Sequence, residues 1–359
     1  MNLLLFVLGL ASLVAGASLL VRGASKLALS LGISPLVVGL TIVAFGTSAP
    51  EVAVSVGAVL DGKTDLAIGN VVGSNIFNVL FILGASALIT PLVVNVQLIR
   101  QEVPIMIGAS LLLLVLGMDG TLGLWDAAFL FALLIAYTVF LVRQSRRQTS
   151  QAQAEYAEGF GPSTAGAWDA KLPVQLVLIV VGLVGLVVGS EWLVTASVNF
   201  AKAMGVSDLV IGLTIVAAGT SMPEVATSIA AALKGERDIA VGNVIGSNTF
   251  NILGCLGLSG LVSGSHGLTM APALLTFDIW VMLAVALACL PVLITGREIA
   301  RWEGGIFLLY YACYVAYLVL AAQKHAALEP FSTVMMSFVI PITVITLIVV
   351  LVRKPRTAA

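Results

Sequence analysis

Glu51 and Glu224 stand deep inside long apolar stretches, each behind the same kind of polar run: Gly46-Thr47-Ser48-Ala49-Pro50 and Gly219-Thr220-Ser221-Met222-Pro223. A charged side chain at that depth in a bilayer costs about 2.5–3.5 kcal/mol on insertion scales. Left unpaired, such a carboxylate takes up a proton or binds a cation. Two of them at equivalent positions can share one divalent ion, which neutralises both. Reading each as a protonated packing residue explains neither the duplication nor the hydroxyls beside it.

The neighbours supply more oxygen. Proline lacks an N–H and clashes with the preceding turn, so the helices carrying Pro50 and Pro223 should break there and free carbonyls near Ala44 and Ala217. Unwound backbone at membrane depth is tolerated only where it is buried or lines a cavity. A second pair of motifs, Gly69–Asn78 and Gly242–Asn251, adds Ser74 with Asn78 and Ser247 with Asn251. Each pair is spaced four apart and so shares one helix face. Carboxylates, hydroxyls, amide oxygens and carbonyls form a hard set without His or Cys. That excludes zinc and copper and suits Ca²⁺ or Na⁺, with Mg²⁺ disfavoured because it dehydrates reluctantly. Cys255, Cys289 and Cys313 lie in apolar stretches as packing residues, and His266 and His325 fall in loops without a catalytic pattern.

The elements holding these residues must cross a membrane. The 359 residues are 60% hydrophobic and 10% charged, with a mean hydropathy of +1.11. A water-soluble fold is thereby excluded, and a net charge of -1 gives no footprint for nucleic acid. No nucleophile–base pair or phosphate loop points to an enzyme. At about 20 apolar residues per span, eleven stretches qualify: 2–21, 33–60, 66–91, 101–117, 123–142, 174–200, 207–233, 239–263, 272–295, 302–322 and 331–352. With the N-terminus outside, fourteen of the seventeen Lys and Arg fall on the inner side and only Lys63, Lys202 and Lys324 on the outer. The positive-inside rule therefore puts the C-terminus in the cytoplasm. The polar segment 144–172 reads as a solvated cytoplasmic linker, with a regulatory role as the other reading.

The chain repeats itself. Residues 39–51 and 212–224 agree at eleven of thirteen positions, and residues 69–78 and 242–251 at eight of ten, both at an offset of 173. Five spans per unit is an odd number, so the second unit enters from the opposite face, as an inverted repeat. The expected architecture is an all-α polytopic membrane protein: a first five-helix repeat (1–143), the linker, a second repeat (173–322), and an extra C-terminal transmembrane helix with a basic tail (323–359). Gly9, Gly16 and Gly23 recur every seven residues on the first helix, and Gly182 and Gly189 match the first two. Smooth faces of this kind suit sliding of the first and sixth helices past a fixed core; ordinary close packing is the other reading. Glu191, in the sixth helix, has Ser18 as its repeat partner and reads as interfacial or as part of the ion path. Glu102 and Asp278 read as interface residues.

These paired motifs resemble the α-repeats of the calcium/cation antiporter superfamily, in particular its sodium/calcium exchangers of prokaryotic type. The resemblance covers about residues 1–322 and implies a ten-helix core that expels Ca²⁺ against Na⁺ entry by alternating access. Carried over by position, it implies that Ala44, Thr47, Ser48, Glu51, Ser74 and Asn78 ligate ions in the first half. In the second half it implies Ala217, Thr220, Ser221, Glu224, Ser247 and Asn251. Proton/calcium relatives tend to carry an acidic residue where Ser74 and Ser247 stand, and potassium-dependent ones carry Asp where Asn251 stands. The residues here favour Na⁺ coupling without K⁺. A proton/calcium antiporter is the alternative, and a passive cation channel built from the same oxygens a more distant one. No cofactor beyond the transported Ca²⁺ and Na⁺, and no obligate protein partner, is expected; compact loops suit a prokaryotic inner membrane.

Overall fold

The structure is a computed structural model that describes residues 2–147, 169, 171–204, 217–294 and 296–352. Most of the 144–172 linker and the first ten residues of the 207–233 span therefore lie outside the described residues. Among the described residues nine helices are long and apolar enough to cross a bilayer: α1 (Asn2–Leu31), α4 (Thr64–Ile89), α5 (Leu98–Leu116), α6 (Leu124–Ser145), α7 (Leu172–Ala203), α9 (Arg237–His266), α10 (Leu274–Ile294), α11 (Arg301–Ala322) and α12 (Leu328–Val349). Taken together, α2 (Pro35–Thr47) and α3 (Ala49–Leu60), which meet at a 43° bend, are long and apolar enough for a tenth. The shorter α8 (Met222–Leu233) is the described part of the seventh expected span.

Two short sheets show which loops share a face. Leu92–Val93 (β1) pairs antiparallel with Glu298–Ile299 (β4), and Thr121–Leu122 (β2) with Leu268–Thr269 (β3). Each sheet joins two loops assigned by the charge pattern to the same side of the membrane. The two sheets also exchange under the repeat: the loops of β1 and β3 correspond, as do those of β2 and β4.

The glycine faces differ from the sliding expectation. A Cβ on Gly9 would lie 2.9 Å from the Gly189 carbonyl oxygen, and one on Gly16 2.8 Å from that of Gly182. The smooth faces thus turn toward each other, backbone against backbone, and the descending index shows that α1 and α7 run antiparallel. They make one close-packed pair, with the glycine faces turned to each other rather than to the core. The pair meets the core through side chains: Leu183 packs on Gly46 and Val194 on Gly219, each within 2.7 Å of where a Cβ would stand. At the end assigned to the cytoplasm α1 is also strapped by polar contacts. Arg22 pairs with Asp169 at 2.8 Å, Ser25 donates to Glu236 at 2.7 Å, and Lys234 Nζ to the Ser18 carbonyl at 2.9 Å. The Arg22 guanidinium holds the Asp169 carboxyl below the usual carboxylate range.

At the centre lie the repeat equivalents α4 and α9. Other elements bury 94% of the most apolar part of α9 and 72% of that of α4, against 6% for α11 and 0% for α12. The outermost helices therefore present their apolar side chains to lipid, while α4 and α9 line the site.

Candidate cation site

The breaks expected at the prolines are present. α2 ends at Thr47, Ser48 leaves the helical path at φ -80° and ψ 6°, and α3 begins with Pro50 in its first turn. Ser221 at φ -87° and ψ 8° precedes α8 in the same way. Glu51 and Glu224 fall in the first turns of α3 and α8, where the unpaired N–H groups and the helix dipole favour negative charge. Both are fully buried, and among the described residues no Lys or Arg contacts either. The two are close enough for their charges to interact. Buried charge of this kind requires a compensating cation or proton.

The halves reach across to each other. Ser48 Oγ donates to Glu224 Oε1 at 3.0 Å, and Ser221 Oγ to Glu51 Oε1 at 2.8 Å. Ser221 Oγ also lies 3.2 Å from Ser74 Oγ. Thr47 Oγ1 donates to Asn243 Oδ1 at 3.0 Å. Six buried oxygens of the expected set have no hydrogen-bond partner: Glu51 Oε2, Glu224 Oε2, Asn78 Oδ1, Asn251 Oδ1, Thr220 Oγ1 and Ser247 Oγ. Thr220 is near enough to act on Glu51, and Ser247 on Glu224, but neither makes a hydrogen bond of normal geometry. Buried polar atoms are nearly always paired, so an open oxygen on each carboxylate together with four open neutral oxygens of the expected set leaves room for a ligand. A 770 Å³ cavity lined by Leu40, Phe45, Leu183, Val187 and Phe250 among others is apolar and contains none of the ten polar candidates, so it is a separate feature.

One expected donor is already engaged. The Ala44 carbonyl accepts from Ser48 N at 3.0 Å and Thr47 Oγ1 at 3.3 Å, so the break does not free it. A proline frees the carbonyl four residues back, which here belongs to Gly46 and Gly219. Ser190 Oγ of α7 donates to the Gly219 carbonyl at 2.6 Å. Ala217 opens a short helical turn, Ala217–Gly219. Other acidic residues stay apart. Glu191 is exposed on α7. Glu102 is buried, unlike an interface residue, and is held by Tyr137 at 2.7 Å, Gln101 at 2.6 Å and Gln97 at 3.0 Å. Asp278 accepts from Tyr314 at 2.8 Å.

Sequence reasoning passed over Asn70, Asn75, Asn243 and Asn248. Asn70 Nδ2 donates to Ser55 Oγ at 3.0 Å and to the Glu51 carbonyl at 3.3 Å; Asn243 Nδ2 makes the equivalent bonds to Ser228 and Glu224. Their signal was available, since all four are identical across the repeat. The π-helical turns Asn78–Leu83 and Asn251–Leu256, each opening on a candidate ligand, left no trace in the sequence. Such turns are frequent at functional sites.

The sequence profile of the sodium/calcium exchanger protein family matches residues 1–143 and 174–320. The chain belongs to that family. Its members are transporters, and this chain is a membrane transporter rather than an enzyme. It is 35% identical to the sodium/calcium exchanger MaX1 of Methanosarcina acetivorans, covering 88% of this chain and 98% of that one. Identity to the putative antiporter CaxA of Alkalimonas amylolytica is 40%, over 69% of this chain and 76% of that one. The fold matches a structure of the sodium-calcium exchanger NCX_Mj with a TM-score of 0.74 and 31% identity, covering 88% of the transporter and 98% of that chain. The profile ends at residue 320, so α12 lies outside the matched region.

Proposed function

We propose that the transporter exchanges Na⁺ for Ca²⁺ across the membrane, with the ions bound at mid-membrane between Glu51 and Glu224. Six open buried oxygens, one on each carboxylate and four on neutral side chains of the expected set, carry this reading. Ca²⁺ takes six to eight oxygen ligands, and the pair's charge of -2 is neutralised by one Ca²⁺ or two Na⁺, with further Na⁺ at neutral oxygens. Thr47, Ser48, Ser74, Asn78, Thr220, Ser221, Ser247 and Asn251 supply the neutral donors and the Ala217 carbonyl adds to them, whereas the Ala44 carbonyl joins only by giving up the bonds it accepts from Ser48 N and Thr47 Oγ1. The names of the relatives, a sodium/calcium exchanger and an antiporter, support the same exchange. Occupancy by Ca²⁺ or Na⁺ but not both makes exchange obligatory, provided the empty charged site does not cross. The close-packed α1–α7 pair, resting on Gly46 and Gly219 beside the site, is the element that moves between outward and inward access.

Serines at 74 and 247 and the amide at 251 keep the middle of the site neutral, which favours Na⁺ over H⁺ as the coupling ion and gives K⁺ no extra charge to bind. In proteoliposomes an imposed Na⁺ gradient is expected to drive ⁴⁵Ca²⁺ uptake with K⁺ omitted, while a pH gradient alone drives none. Uptake driven by pH and indifferent to Na⁺ identifies a proton antiporter. Uptake with no counter-ion at all identifies a channel.

The lysine and arginine distribution supports an N-terminus outside and a C-terminus in the cytoplasm, and a 37% identical relative named inner membrane protein YrbG in Escherichia coli supports a prokaryotic inner membrane. An impermeant thiol reagent applied to intact cells is expected to label Lys63→Cys and to spare Lys171→Cys. The reverse pattern inverts the topology.

A further inference from the structure

A chain of four asparagines crosses the interface between the repeats. Asn75 on α4 and Asn248 on α9 are repeat equivalents, each 2% exposed. Asn75 Nδ2 donates to the backbone carbonyl of Asn248 at 3.2 Å, and Asn248 Nδ2 to that of Asn75 at 3.3 Å. A peptide carbonyl only accepts, so these two bonds fix which end of each amide carries the nitrogen. The oxygens then face outward along the chain. Asn75 Oδ1 accepts from Asn251 Nδ2 at 3.1 Å, and Asn248 Oδ1 from Asn78 Nδ2 at 2.9 Å. With their nitrogens taken, Asn78 and Asn251 are left with Oδ1 buried and without a partner.

This orientation matters because the two ends of an amide have nearly the same shape and opposite polarity. In the empty site an unheld Asn78 or Asn251 turns its NH₂ inward as readily as its oxygen, and an entering cation, which the NH₂ repels, must then reorient it. We propose that Asn75 and Asn248 are positioning residues: each holds the ligand amide of the opposite repeat with its oxygen toward the transported ions. The inference rests on the cation-site reading, since it gives Asn78 and Asn251 their purpose. The pairing is crossed. Asn75, in the first repeat, governs Asn251 in the second, and Asn248 governs Asn78.

Crossed pairing gives the test a signature that a merely structural tie between α4 and α9 lacks. Equilibrium ⁴⁵Ca²⁺ binding is measured on the purified full-length protein. Asn75→Leu and Asn248→Leu, close to asparagine in size, each raise the Kd about tenfold, the scale of one hydrogen bond. Added to Asn78→Ala, Asn248→Leu raises the Kd little further, whereas Asn75→Leu adds its full factor. Added to Asn251→Ala, the two exchange roles. Should a leucine variant fail to fold, Asn75→Ser and Asn248→Ser run the same cycle with smaller factors. Parent-like Kd values in the single variants, or full addition in all four combinations, overturn the positioning role while leaving the site intact. If the parent shows no saturable Ca²⁺ binding, or Glu51→Gln binds as the parent does, the site reading itself falls and the positioning role with it.

Discussion

Glu51→Gln and Glu224→Gln are each expected to abolish Ca²⁺ transport, lowering the rate at equal protein level by about 10²–10⁴-fold. That is the factor corresponding to the roughly 3–5 kcal/mol lost when one partner of a buried ionic contact is removed. The two side chains are fully buried, face each other's repeat through Ser48 and Ser221, and have no basic residue within contact among the described residues. A single remaining carboxylate leaves a desolvated divalent ion with one uncompensated charge. The crossed bonds make the two losses equivalent, because each carboxylate is held by the serine of the other half. ⁴⁵Ca²⁺ flux in proteoliposomes checks this. Retention of most activity in either variant contradicts a shared site.

Gly182→Val is expected to cost as much by a different route. Its Cβ would lie 2.7 Å from Leu20 N and 2.8 Å from the Gly16 carbonyl oxygen. Both are backbone atoms, so no side-chain rotation relieves the clash and α1 must part from α7. Overpacking of a tight core costs about 1–3 kcal/mol, occasionally more, and backbone contact puts this site at the upper end. The purified variant should melt several degrees below the parent and lose transport. Gly108→Ala is the control: nothing stands within 4 Å of the added methyl, and alanine favours the helix over glycine by roughly 1 kcal/mol. It should match or exceed the parent's melting temperature. A Gly182→Val protein with parent stability and flux would show that the pair need not be in contact.

The repeat made much of this visible in the residues alone. A constant offset of 173 paired Glu51 with Glu224 and Pro50 with Pro223, and proline chemistry located both breaks. Offsets state equivalence, however, and not contact. That Ser48 reaches Glu224 rather than Glu51 follows from the fold's two-fold relation, which brings the halves together only in three dimensions. The spacing of Gly9, Gly16 and Gly23 marked a smooth face without saying what it meets, and it meets Gly189 and Gly182 rather than the core. Asn75 and Asn248 were identical motif residues with no chemistry of their own in view, since their role is to turn another amide. The π-helical turns at Asn78 and Asn251 depend on tertiary packing around α4 and α9, which no local pattern encodes.

Obligatory exchange as proposed requires one site that holds Ca²⁺ or Na⁺ and never both. Equilibrium ⁴⁵Ca²⁺ binding to the purified protein, titrated with NaCl at constant ionic strength, tests it most directly. Complete displacement of bound Ca²⁺ is expected, with a Hill coefficient for Na⁺ above one, because neutralising a -2 carboxylate pair takes at least two Na⁺ for each Ca²⁺. Bound Ca²⁺ that persists at saturating Na⁺ would contradict it.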